Sequence, residues 1–278
     1  MNRKPLLRWS GPFLAYAVVS LFLLWTLLPI VIIGLQAVKP TLLMFSTPPT
    51  WVFEPTAEHF LKVFARHQLH LQMRNSLIVG DSTMVVSLSV GSLAAYSLAR
   101  TPIRGRGALA VAILFTRMVP AGALVVPMYV IMRNLGWTNS YIGIIAAHTT
   151  FNLPFVVWMM RSFFQEIPPE LEEAAMVDGC TTLQTFYRIA LPLASPGLTA
   201  TGILVLILSW NEFLFALVLS GRATRTLPTG ISAFVGSVSV DWGGSSAAAV
   251  MAMVPVFVVG MLVQRYLVRG LTMGAVKG

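Results

Sequence analysis

Charge is scarce in this chain. Asp, Glu, Lys and Arg together make up 10% of its 278 residues, where soluble domains carry roughly a quarter. With 56% hydrophobic residues and a mean hydropathy of +0.77, that scarcity excludes a soluble globular domain. Cysteine is almost absent as well. The single Cys180 excludes an intramolecular disulfide and offers little to redox or metal chemistry. No G-x-x-x-x-G-K-[ST] run occurs, so the chain carries no P-loop for nucleotide phosphates. It also lacks repeats at solenoid periods, low-complexity tracts and any convincing cluster of catalytic or metal-binding residues.

What is present is a series of apolar runs long enough to cross roughly 30 Å of hydrocarbon as helix. The pattern predicts six spans, at about 13–35, 75–99, 107–132, 141–163, 196–220 and 246–267. The first follows Arg3, Lys4 and Arg8; it is too long for a signal-peptide core and no small-residue cleavage site follows it, so it reads as an uncleaved span. The +9 net charge is scattered among short loops and forms no stripe, which argues against nucleic acid. The clusters Arg3/Lys4/Arg8, Arg100/Arg104/Arg106 and Arg265/Arg269/Lys277 fit a positive-inside plan with both termini cytoplasmic. Pro102 stops the second span, and Pro154 and Gly202 are expected to interrupt later ones. A Gly/Ser/Thr-rich outer linker runs to Gly244, with a short helix expected around 231–238.

A polar insert from Pro168 to Pro192 interrupts the apolar pattern. Pro168-Pro169 suits a helix start, and Glu170, Glu172 and Glu173 complement the positive end of the helix dipole. Leu171, Ala174 and Ala175 share a narrow face on which small side chains permit close approach. Gly179 suits a left-handed helix cap, with Asp178 just before it. Thr181 and Gln184 have capping-box spacing for a second helix, whose stripe is Leu183, Phe186, Tyr187 and Ala190, and Pro192 closes the unit. The result is either a knob for a groove on another protein or an amphipathic hairpin resting on the membrane or on its own bundle.

Glu173-Ala174-Ala175-x-x-x-Gly179, then Ile189-x-Leu191-Pro192, resembles the EAA loop of permease subunits of binding-protein-dependent ABC importers. The six-span plan, Trp210-Asn211-Glu212-Phe213 and the ending Gly270-Leu271-Thr272-x-Gly274-Ala275-Val276-Lys277-Gly278 extend the resemblance to the smaller permease subunit of maltose-type carbohydrate importers. Cys180 departs from the usual alanine. The resemblance implies an all-α type I importer permease with six transmembrane helices, in a bacterial or archaeal cytoplasmic membrane. It also implies that the loop is a coupling helix seated on an ATPase, contacting it through Glu173, Ala174, Ala175, Asp178, Gly179, Ile189, Leu191 and Pro192. The implied partners are a second permease, two ATPase subunits that bind ATP and Mg, and an extracytoplasmic solute-binding protein. This chain would bind no cofactor, catalyse no reaction and help to move a sugar or sugar derivative, a disaccharide or oligosaccharide in first expectation.

Ionisable and polar groups at membrane depth mark a pathway or an internal pair. Arg117 and Glu212 lie within spans, and Glu212 can pair with Arg117 or leave that role to Asp81. Asn211, Glu212, Asn152, Thr150 and His148 offer hydrogen bonds to a hydroxylated solute, and Trp210 and Tyr96 offer stacking faces. The same groups also serve packing and interhelical bonding. An ion-gradient-driven secondary transporter or channel is the alternative, though one Glu and one Arg make a thin relay. The expected division is a tail, first span and outer loop over 1–74, a core over 75–267 and a cytoplasmic tail over 268–278.

Overall fold

The computed structural model describes residues 7–65, 67–234 and 240–273, with side chains described between residues 13 and 261 of those ranges. The basic terminal residues and all of the C-terminal motif therefore lie outside the described side chains. In chain order the helices are α1 (Leu7–Val38), α2 (Glu58–Ala65), α3 (Leu69–Arg100), α4 (Arg106–Thr116), α5 (Ala121–Asn134) and α6 (Tyr141–Glu166). They continue with α7 (Pro169–Val177), α8 (Thr182–Thr185), α9 (Leu191–Leu193), α10 (Ser195–Trp210), α11 (Leu214–Leu219), α12 (Leu227–Ser232) and α13 (Trp242–Met273).

Four helices are long and apolar enough to cross a membrane singly, and two bent pairs bring the number to six when each pair is one crossing. The third span is one of these pairs. The sequence suggests a continuous run, but α4 and α5 meet at 88°. The break covers Arg117 to Pro120, where proline supplies no N–H and disfavours helix at Val119. The second pair is Thr182–Leu193 with Ser195–Trp210, bent by 78°. Separately, the predicted fifth span is broken near its end: α10 stops at Trp210 and α11 begins at Leu214. By contrast, Pro154 and Gly202 lie inside the continuous helices α6 and α10, so neither interrupts its span. The linker helix is α12, earlier than expected, and residues 235–238 of the anticipated helix are outside the described residues.

The described residues form two compact units, one of residues up to Gln68 with Ile231–Met253 and one of Leu69–Gly230 with the chain from Val254. In the larger unit α3 packs against α6 and α10. Gly91 allows that contact: a Cβ there would lie 2.5 Å from Val156 Cγ1. Small residues at helix contacts are how membrane bundles gain van der Waals packing without a hydrophobic drive between helices. Met160 and Phe164 of α6, Ala95 and Tyr96 of α3 and Val205 of α10 fill the shared core with Phe186. A second cluster joins Val79, Met132, Ile144 and Phe215. The start of α3 also holds the linker, because Asn75 Nδ2 donates to the Ala223 and Arg225 carbonyls and Ser76 Oγ accepts from Leu227 N.

In the smaller unit, His59 Nε2 lies 2.9 Å from the Lys39 carbonyl, and Lys62 Nζ lies 2.7 Å from Asp241 Oδ2. Asp241 also caps α13 by accepting from Gly244 N. Burial pushes the Asp241 carboxyl up, but the Lys62 ammonium and the Gly244 N–H together hold it below its ordinary value. Residues 13–29 of α1 are all exposed on this chain.

Candidate functional site: the EAA loop and the broken fifth span

The loop from Pro168 to Leu193 is built as its residues suggest at its helix ends. Pro169 stands in the first turn of α7. At the other end Gly179 takes φ of +91°, and Gly179 N and Cys180 N donate to the Met176 and Ala175 carbonyls. That pair of bonds is the Schellman arrangement, which satisfies carbonyls the helix would leave open. Thr181 and Gln184 complete a reciprocal capping box at α8.

Two features differ from the expectation. Pro192 does not close the unit: a π turn over Phe186–Ala190 leads into α9, and the chain bends by 78° only after Leu193. The wider turn lets Leu191 N donate to the Phe186 carbonyl just before Pro192, which has no N–H to give. The small-residue face is also divided. Ala175 is buried on its own chain, whereas Leu171, Glu173, Ala174, Met176, Val177, Asp178 and Gly179 are exposed. Ile189 and Leu191 are half-buried and Pro192 is exposed.

The inward face of α7 is set by Glu172, which is 3% exposed. Its Oε1 lies 2.7 Å from Arg100 Nη2 and accepts from Arg100 Nε, while Oε2 accepts from the Tyr96 hydroxyl at 2.7 Å. Arg100 Nη2 also donates to the Ile167 carbonyl. Every charge buried here is paired, as a low-dielectric site requires. Tyr96 continues into a ring cluster with Phe164 and Phe186, at centroid distances of 5.4 and 5.1 Å. Tyr96, a candidate stacking residue, thus belongs with the loop and not with the intramembrane polar groups. The role of Glu172 was hidden because Glu170, Glu172 and Glu173 serve a helix dipole equally; its i, i+3 partner Ala175 was the available signal.

The second site surrounds the break after α10. Glu212 accepts from Phe215 N and Ala216 N, capping α11. His148 Nε2, from α6, lies 3.0 Å from Glu212 Oε2, and His148 Nδ1 lies 2.7 Å from Ser209 Oγ. The His148 to Glu212 approach is at ion-pair distance but outside hydrogen-bond angles. Asn152 Nδ2 donates to the His148 carbonyl, and its buried Oδ1 has no partner among the described residues. The structure therefore brings Glu212, His148, Ser209 and Asn152 together. Asn211 is exposed at the break and its Nδ2 donates to the Ile207 carbonyl.

The remaining candidates lie apart from that group. Arg117 pairs with neither Glu212 nor Asp81; its guanidinium sits 4.8 Å from the Phe155 ring centroid, with Nη1 buried and without a hydrogen-bond partner among the described residues. Asp81 is exposed on α3. Trp210 is buried beside Leu206, Ile207 and Pro255 in an apolar niche. His148 as the partner of Glu212 was missed because histidine in a span carries no spacing signal; only its depth marked it.

Comparison with known proteins shows the family and the fold. The family described as binding-protein-dependent transport system inner membrane component matches residues 87–273. The sulfoquinovosyl glycerol transport system permease protein SmoH of Agrobacterium fabrum is 36% identical, over 97% of this chain and 95% of its own. The trehalose/maltose transport system permease protein MalG of Thermococcus litoralis is 35% identical, over 84% of this chain and 88% of its own. In fold, the chain matches a crystal structure of a bacterial ABC transporter involved in import of the acidic polysaccharide alginate, with a TM-score of 0.79, 24% identity and coverage of 96% and 99%. The chain belongs to the family of inner-membrane components of binding-protein-dependent transport systems.

Proposed function

We propose that this chain is one permease of an ATP-driven importer for a sugar or sugar derivative, and that its EAA loop is the seat of a cytoplasmic ATPase subunit. One observation carries the coupling reading: α7 is fastened to α3 by the buried Glu172–Arg100–Tyr96 group, while Glu173, Ala174 and the Gly179 turn stay exposed. A push on the outward face then reaches the long helix α3 through a buried, charge-assisted contact. Both termini and the loop lie on the cytoplasmic side in this reading, as the distribution of Lys and Arg suggests. Two ATPase subunits supply ATP hydrolysis and hold Mg, a second permease supplies the other half of the pathway, and an extracytoplasmic binding protein delivers the solute.

The sugar class is supported by relatives named for sulfoquinovosyl glycerol and for trehalose/maltose transport. Within the membrane we assign the polar break at Asn211 and Glu212, with His148 and Asn152, to the solute pathway and Arg117 to its wall. Tyr96 and Trp210 serve packing. The test is transport by the assembled complex in proteoliposomes with its binding protein. Glu173→Ala and Gly179→Val are expected to lose ATP-driven uptake and co-purification of the ATPase subunit; retention of both activities would remove the coupling assignment. Stimulation of ATPase activity by binding protein loaded with amino acid, and not with trehalose or maltose, would remove the sugar assignment.

A further inference from the structure

The smaller unit contains a pocket of about 280 Å³ where the end of α1 meets the segment that follows it. Ile32, Leu35, Gln36 and Lys39 form one wall, and Trp51 and Phe53 belong to the opposite one. Lys39 is only 8% exposed. Its Nζ donates to the Thr50 carbonyl at 2.8 Å and stands 5.6 Å from the Phe53 ring centroid. An ammonium has three donors, so this contact leaves two. All ten side-chain carboxylates of the protein are among the described residues, and none lies within ion-pair distance of Lys39. A buried cation without an anion is costly, which makes the pocket selective for negative charge. Gln36 adds a buried Oε1 with no partner among the described residues, able to accept from a hydroxyl.

We propose that this pocket binds the phosphate of a glycerophospholipid, with Lys39 on the phosphate, Gln36 on a headgroup hydroxyl and the acyl chains along the Ile32 and Leu35 side of α1. Residues 13–29 of α1 and the pocket-wall residues Ile32 and Leu35 are exposed on this chain, so the pocket opens at the end of a lipid-compatible helix face. Trp51, 71% exposed, supplies the kind of amphipathic ring that settles at headgroup level. The volume of about 280 Å³ falls just below the roughly 300–1,000 Å³ range of ligand pockets, which suits a headgroup better than an oligosaccharide.

The phosphate ester could come from a lipid or from a free metabolite, and the test separates them. The assembled transporter, delipidated in mild detergent, is offered phosphatidylglycerol, diacylglycerol with the same chains, or glycerol 3-phosphate, and adducts are read by native mass spectrometry. Phosphatidylglycerol is expected to be retained, diacylglycerol to be lost, and glycerol 3-phosphate to displace nothing at equal concentration. Lys39→Gln is expected to weaken phosphatidylglycerol retention by about tenfold, the worth of one charged hydrogen bond. Equal retention of diacylglycerol would overturn the proposal, as would displacement by glycerol 3-phosphate or undiminished retention in a folded Lys39→Gln protein. The comparison among the three compounds uses the unmodified protein, so it stands even if that variant misfolds.

Discussion

Glu172 and Glu173 are sequence neighbours on a helix, and 100° of rotation gives them opposite surroundings. Glu172 is buried on Arg100 and Tyr96, and Glu173 faces outward. Removing the inward carboxylate leaves Arg100 without its counter-charge. Glu172→Gln is therefore expected to destabilise the α7 to α3 contact by about 3 kcal/mol, the low end for a broken buried pair, since Arg100 keeps 20% side-chain exposure. Hydrogen exchange over residues 168–194 measures it: protection should fall there and hold over the rest of α3. Gly179 is a second residue-scale test. At φ of +91° any side chain is strained, and Gly179→Ala should lower stability by about 1–2 kcal/mol in a thermal shift assay. No neighbouring atom obstructs a Cβ there, so the loss comes from backbone conformation alone.

At the scale of elements, contacts that need a missing side chain are the most brittle. Gly91→Leu would drive atoms into Val156 and force α3 from α6, at a cost of about 1–3 kcal/mol or more for overpacking; reduced yield of folded protein at unchanged transcript level is the expected readout. The Lys62–Asp241 pair at the start of α13 yields a pH dependence. Asp241 titrates below its ordinary value when folded, so its contribution is complete above the unfolded value near pH 4 and is lost as pH falls through the depressed folded value. Both side chains are about a third exposed, which limits the effect to less than about 1 kcal/mol. Acid titration of thermal stability should show a small loss in the natural protein that Asp241→Asn lacks. An identical acid profile in the two proteins would contradict the pair.

The loop helices were legible in advance because proline, glycine and the Thr181/Gln184 spacing act locally, and local chemistry set their ends. The spans were legible by length and apolarity. Their breaks were not: the α4/α5 bend depends on how Pro120 is accommodated, and the gap before α11 depends on Glu212 turning back to cap Phe215 and Ala216. Pro154 and Gly202 misled in the other direction, since a packed helix can run through either residue. The tie from Glu172 to Arg100 and the approach of His148 to Glu212 join residues 72 and 64 positions apart, and no short-range pattern reports such pairs.

At the scale of the whole molecule, the EAA loop has an inner face that holds the fold and an outer, exposed face that we propose receives the ATPase. The two faces can be perturbed independently, because Ala174 is exposed and Glu172 is buried on the same two turns of helix. The most direct measurement is an Ala174→Trp substitution in the assembled transporter, read by the amount of ATPase subunit that co-purifies and by ATP-driven uptake, with thermal stability as the control. The account predicts that the bulky side chain expels the ATPase subunit and stops uptake while the stability of this chain is unchanged. Normal ATPase recovery and normal uptake in that variant would contradict it.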